Sequence, residues 1–304
     1  MIGDLDQLEQ NNFTMNSYDV KEEPKNLSEG FLEEIYSLQK QLLEGYIGIE
    51  NLPPYPVNVN TKASQTLLKD FTGRVIEELS EGYESFGEIS EMFEERGYMI
   101  STDKEVNRKF SAKVEPYLQN ANEENADALH FMVELLIYAG IEAEDINSKV
   151  NEYDERLGNE PDTLVKCFSL GRDWMLSDKI GIVYIGESHT WPLLNGPGDE
   201  AKLIHGKSLV IGGSKYDWTN YHIYYPVAIW AVTHHLNIAR NFLKNKPWKQ
   251  SQVMTQEAKY REYLIKAFIL LCGYFDLLGM EARDAYYLYF KKNRINLFRQ
   301  KSKY

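Results

Sequence analysis

The sequence predicts a mainly α-helical bundle interrupted by a mixed α/β insertion. Three observations predict it. Apolar residues recur three or four apart over most of the chain, the period of one helical face. Pro53, Pro54 and Pro56 on one side, and Gly140 and Gly279 on the other, punctuate those segments as helix boundaries do. Residues 145–221 lose the helical period. The 304 residues are 43% apolar and include 21 Tyr and 13 Phe, ample for a core and too many for wholesale disorder.

Residues 1–28 are polar and aperiodic, and read as a loose arm. Phe31, Ile35, Leu38, Leu42 and Leu43 then mark a first helix that should stop near Gly45 to Gly48. The three prolines make residues 51–60 an extended connector, because proline lacks the helical donor. From Lys62 to Arg96, the residues Leu67, Phe71, Val75, Leu79, Tyr83 and Phe86 fall on one helical face. An acidic-headed helix should cover about Asn122 to Tyr138, with Gly140 as its stop. Glycines, aromatics and short β-branched runs (Ile180 to Ile185, Leu209 to Ile211) then suggest one or two small hairpins, with room for helices among them. Helices resume at about 225–243, 255–278 and 281–299, with Thr255 a candidate N-cap and Gly279 a stop. The bundle thus comprises 29–144 and 222–304, and 145–221 is an insertion of open role.

Acidic residues outnumber basic ones 46 to 33, a formal charge of −13. Such a surface repels phosphate backbones and anionic membranes, so no nucleic-acid or membrane partner is expected. No run approaches the eighteen or so apolar residues that span a bilayer, and the N-terminal Asp4, Asp6 and Glu9 are unlike a signal peptide. The two cysteines, Cys167 and Cys272, match no metal or redox spacing, as a reducing cytoplasm allows.

Three features carry chemistry. Glu78 and Glu81 stand three apart on a helix, roughly 5–6 Å between Cβ atoms. Two carboxylates so placed repel unless a cation lies between them, and oxygen ligands suit Mg²⁺ or Mn²⁺. Glutamates at this spacing are equally common on solvated faces, and Glu84, Glu88, Glu91 and Glu95 extend the stripe as plain surface. Glu124 and Asp127 repeat the spacing at the head of an otherwise apolar helix. Acids leading into a buried helix need a charge partner, either a metal shared with the first pair or ordinary ion pairs with Arg74 or another cation. Last, residues 291–304 hold six basic residues and no acidic one. Lys292, Asn296 and Arg299 share a helical face there, as a rake of donors for phosphate oxygens or as cations drawn to a helix C-terminus. Acids for a metal and bases for phosphate together point to metal-assisted attack on a phosphoryl group.

The segments Glu78-Leu-Ser-Glu81, Glu124-Asn-Ala-Asp127-Ala-Leu-His130-Phe131 and Lys292-Asn293-Arg-Ile-Asn296-Leu-Phe298-Arg299-Gln300 resemble the dimeric dUTPase family. This is a group of all-α nucleoside triphosphate pyrophosphatases, often phage-encoded. The matching segments run from about Phe31 to Ile141 and Tyr225 to Tyr304. The resemblance implies an all-α pyrophosphatase fold and Mg²⁺-dependent hydrolysis of dUTP, and of dUDP, to dUMP, with release of pyrophosphate or phosphate. It implies a homodimer in the host cytoplasm, with Glu78, Glu81, Glu124 and Asp127 as metal ligands. Lys292, Asn293, Asn296 and Arg299 would contact phosphate and nucleotide, and Gln39 with Gln41 the base. Glu77 extends the wider MazG-like Glu-Glu-x-x-Glu pattern. The tryptophan- and lysine-rich stretch usual after the first acidic motif is missing, as is a terminal Asp-His-Gly. Both departures bear on base specificity, so dCTP, dTTP or a modified pyrimidine stay open as substrates.

Mechanistically, Glu81 is the first choice for general base, and Glu78 its catalytic partner. His130, three residues beyond Asp127, either approaches the nucleotide or is a satisfied core histidine. His234-His235 lacks a metal-ligand partner. Two competing functions remain: a MazG-like pyrophosphatase that accepts purines, and a non-catalytic helical interaction protein whose glutamate stripe is only a solvated face.

Overall fold

Apolar stripes at helical spacing dominate the architecture. The computed structural model describes residues 24, 25, 27, 30–95, 104–175, 209–211, 214–216, 218–244 and 254–302. Among them are the α-helices α1 (Phe31–Glu50), α2 (Lys62–Glu95), α3 (Lys104–Tyr138), α4 (Ala143–Tyr153), α5 (Thr163–Met175), α6 (Trp218–Phe242), α7 (Glu257–Leu277) and α8 (Ala282–Ser302). A 3-10 turn, Glu155–Asn159, joins α4 to α5. The fold is mainly helical, as the periodicity predicts. Among the described residues, β-structure is confined to one antiparallel pair, Leu209–Ile211 with Ser214–Tyr216. The loose arm, Ile180 to Ile185 and most of the central stretch, Trp191 included, lie outside the described residues.

Two long helices form the spine. Phe71 packs on Tyr138, and Ser85 accepts a hydrogen bond from Asn120, so α2 and α3 run antiparallel. The face that α2 buries is Leu68, Phe71, Val75, Leu79, Phe86 and Ile89. Tyr83, expected on that face, is 44% exposed instead. Gly82 lies on the buried side instead, facing Glu124 of α3. Helix α3 is buried nearly all round from Ala128 to Ala139, apart from Phe131. It begins well before the expected Asn122, since Val114, Leu118 and Ala121 continue the apolar stripe past Pro116. Gly140, at φ 71°, ends it, and Arg261 of α7 donates to the carbonyl oxygens of Ala139 (3.2 Å) and Gly140 (2.7 Å).

Helices α1 and α8 run parallel. Asn293 donates to the Leu38 carbonyl (3.2 Å), Gln300 to that of Leu42 (2.9 Å), and the Tyr289 hydroxyl to Gln39 Oε1. The connector after α1 is extended, and Val57 N–H donates to the Tyr138 carbonyl at 3.0 Å. Thr255 is not the cap of α7, which Gln256 precedes. Its hydroxyl donates to the Val59 carbonyl (2.5 Å), and its N–H to Asn60 Oδ1 (2.8 Å), so it fastens α7 to the connector.

Residues 145–175, where hairpins with helices among them were expected, are mostly helical. Ile146 and Val150 of α4, with Leu164, Cys167 and Phe168 of α5, belong to the same buried core as α3 and α7. The packed body therefore continues past the boundary expected at 144. Asp162 fixes this part by accepting from Val165 N–H at the start of α5 (3.0 Å) and from Phe31 N–H at the start of α1 (2.8 Å). No single described helix is long and apolar enough to cross a membrane.

Candidate metal centre

Glu78 and Glu81 lie one turn apart on α2, Glu124 and Asp127 one turn apart on α3. The antiparallel pairing brings the two turns together beside Gly82, whose missing side chain leaves Glu124 Cβ at 3.5 Å from where a Cβ would stand. One ligand atom from each of Glu78, Glu81 and Glu124 lies within 4.8 Å of the others, with Glu81 exposed and the other two half-buried. Glu78 and Glu124 face each other closely enough for a hydrogen bond when one of the two carboxyls is protonated. Burial pushes Glu78 up to about 8, and the negative charges of Asp127, Glu124 and Glu81 add to it. Glu124 is also raised, by burial first and then by Asp127 and Glu81.

Asp127 stands at the edge of this group and faces α8. Its Oδ2 is 2.6 Å from Lys292 Nζ, with the two side chains 21% and 9% exposed. Burial raises the Asp127 carboxyl, while Lys292 and then Arg299 pull it down. So the charge partner that the buried head of α3 requires is, for Asp127, the C-terminal lysine. Of the other expected donors, Arg299 and Asn296 are half-buried on the same helix. Asn293 is fully buried and turned to the α1 backbone. Gln39 is likewise buried, holding Tyr289, whereas Gln41 is exposed. Glu77 and the stripe Glu84, Glu88, Glu91 and Glu95 are exposed.

His130 is a core residue by its contacts. Its ring stacks on Tyr289 with centroids 3.9 Å apart and 7° between planes. Its Nδ1 is 3.0 Å from the Ala126 carbonyl oxygen, which can only accept, so Nδ1 carries the proton. Burial lowers its pKa to about 3, leaving the ring neutral and Nε2 an acceptor with no partner among the described residues. One turn further, Glu134 is buried, and burial pushes its carboxyl up to about 8 despite Arg74 nearby. Sequence reasoning passed it over. Its signal was a lone acid inside the apolar run Met132 to Tyr138. Arg74 itself pairs with Asp70 (3.1 Å) and lies over the rings of Phe71 and Phe131.

The chain matches no protein-family model, no curated protein and no solved structure.

Proposed function

We propose that this chain is a divalent-metal-dependent nucleoside triphosphate pyrophosphohydrolase, with dUTP, and also dUDP, converted to dUMP. The observation that carries it is the triad Glu78, Glu81 and Glu124, drawn from two helices onto one point. The donor set fits a hard cation: three carboxyl groups on one point, two of them raised by burial and by their neighbours' negative charge, which a bound cation would relieve. Glu78, Glu81 and Glu124 would hold the metal, Mg²⁺ or Mn²⁺, with Asp127 at its margin. The bound ion would supply charge neutralisation of a polyphosphate and a more acidic water.

The chain's own residues do the rest. Glu78 and Glu124, whose carboxyls burial now raises, would favour their ionised form beside a bound cation. Glu81, the exposed member, would take a proton from water, which its exposure supports. Lys292 Nζ stands 2.6 Å from Asp127. Together with Arg299 it balances the negative charge gathering on phosphate oxygens. The uridine preference, the homodimer and a phage origin rest on the motif resemblance. The exposed stripe from Glu84 to Glu95 favours, for that part of α2 alone, the competing solvated-face reading of an interaction protein.

The test is release of pyrophosphate or phosphate from dUTP, dUDP, dCTP, dTTP, dATP and dGTP, with and without Mg²⁺. Preferential, Mg²⁺-dependent turnover of dUTP is expected, abolished in Glu78→Gln and Asp127→Ala. Equal use of purines would select the MazG-like alternative. No turnover, together with no Mg²⁺- or nucleotide-dependent rise in melting temperature, would sink the enzyme reading. Sedimentation would test the dimer.

A further inference from the structure

Helices α5 and α7 touch backbone to backbone. A Cβ on Gly171 would lie 2.1 Å from the Ile269 carbonyl oxygen, and one on Gly273 would lie 2.3 Å from the Gly171 carbonyl carbon. Packed helices usually stand about 8–10 Å apart, held off by their side chains. Two glycines at one crossing remove that spacer. Cys167 lies one turn before Gly171, and Cys272 adjoins Gly273. Both are fully buried free thiols, and they interact as neighbours at this crossing. No other cysteine exists in the chain.

A disulfide needs Cα atoms about 4.4–6.8 Å apart, closer than most helix pairs allow. The Gly171–Gly273 contact brings α5 and α7 closer than that at a point one turn from Cys167 and one residue from Cys272. We propose that Cys167 and Cys272 form an oxidisable dithiol, whose disulfide staples α5 to α7. Two S–H bonds break and one S–S bond forms. The two protons and two electrons pass to an electrophilic oxidant, a diazene such as diamide (reduced to the hydrazine) or a small disulfide (reduced to two thiols). Burial pushes the Cys272 thiol up, so reactive thiolate is scarce and oxidation is slow while the crossing stays closed. Once made, the bond closes a loop of 105 residues (272 − 167). It therefore restricts the unfolded chain strongly.

The experiment uses the full reduced chain, incubated natively with diamide, then denatured, alkylated and weighed. Expected are loss of both alkylation sites, a mass lower by two hydrogens, and a monomer on a non-reducing gel. The melting temperature should rise by several degrees and fall back with dithiothreitol, while Cys167→Ser shows no such shift. Because the folded state can exclude diamide, the denatured reduced chain is also refolded in a glutathione buffer, where the native crossing should select the same bond. The proposal is overturned if both routes leave two alkylatable thiols, if the disulfide is only intermolecular, or if the staple lowers the melting temperature.

Discussion

Replacing Glu134 with Gln should stabilise the protein at high pH, and the size of the gain can be worked out. Glu134 is buried on α3, where desolvation disfavours its charged form more than Arg74 favours it and Glu50 adds repulsion. Its pKa rises from an ordinary 4.5 to about 8. Below pH 4.5 both the folded and the unfolded chain hold the proton, and the site costs nothing. Between 4.5 and 8 the unfolded chain gives the proton up while the folded one keeps it, so stability falls as pH rises. Above 8 the penalty is complete, at about 1.4 kcal/mol per pKa unit, or roughly 5 kcal/mol at most. Gln keeps the shape without the charge, and an imperfect amide hydrogen bond gives back about 1 kcal/mol.

Urea unfolding followed by tyrosine and tryptophan fluorescence at pH 5, 7 and 9 measures this. Glu134→Gln should match the parent at pH 5 to within about 1 kcal/mol, and exceed it by roughly 2–4 kcal/mol at pH 9. Glu78 is raised to about 8 as well and tilts the parent's stability in the same direction. Only the difference between the two proteins therefore isolates Glu134. A variant less stable than the parent at pH 9 would mean that Glu134 is ionised and paired with Arg74, and the desolvation reasoning would fail.

Other perturbations probe the rest of the frame. Asp162→Ala removes acceptors from the first turns of α1 and α5 at a fully buried site, and should cost about 2–4 kcal/mol in denaturant unfolding. Gly171→Ala places a methyl 2.1 Å from a backbone oxygen, so α5 and α7 must separate; a loss of at least about 2 kcal/mol is expected, and a neutral result would show that the crossing is looser than described. Lys292→Met strands the Asp127 carboxylate and should cost about 3 kcal/mol at pH 7, with most of it restored in Lys292→Met/Asp127→Asn. If the double variant stays as unstable as the single one, the pair is not what holds α8 to α3.

The helices were legible wherever their apolar period ran unbroken. Leu38, Leu42 and Leu43 announce α1, and Gly140 and Gly279, both at positive φ, end α3 and α7 as glycines do. The first half of α3 was missed because Lys104 to Gln119 is mostly polar, and Pro116 reads as a breaker although the helix passes through it. Helices α4 and α5 were obscured by a similar mistake of sign. Gly171 looks like loop punctuation in the sequence, but it is a contact surface, and what makes it one is Gly273, about a hundred residues away. Propensity is local, and tertiary packing overrides it.

The same distinction runs through the candidate site. Spacing of three on a helix made each carboxylate pair visible, because that relation is internal to one element. Which acids face one another, and which faces a lysine, depends on relations between elements. Asp127 meets Lys292 where α8 packs on α3, with His130 stacked on Tyr289, and α8 is also held to α1, through Asn293 on the Leu38 carbonyl and Gln300 on that of Leu42. Asn293 and Gln39, taken from sequence as nucleotide contacts, are in their described contacts part of that fastening. Their replacement should thus shift Lys292 and weaken the fold before it alters any preference among bases. Asn293→Ala would separate the two roles: lost stability with an unchanged ratio of dUTP to dCTP turnover marks a fastener, and unchanged stability with an altered ratio marks a reader of the base.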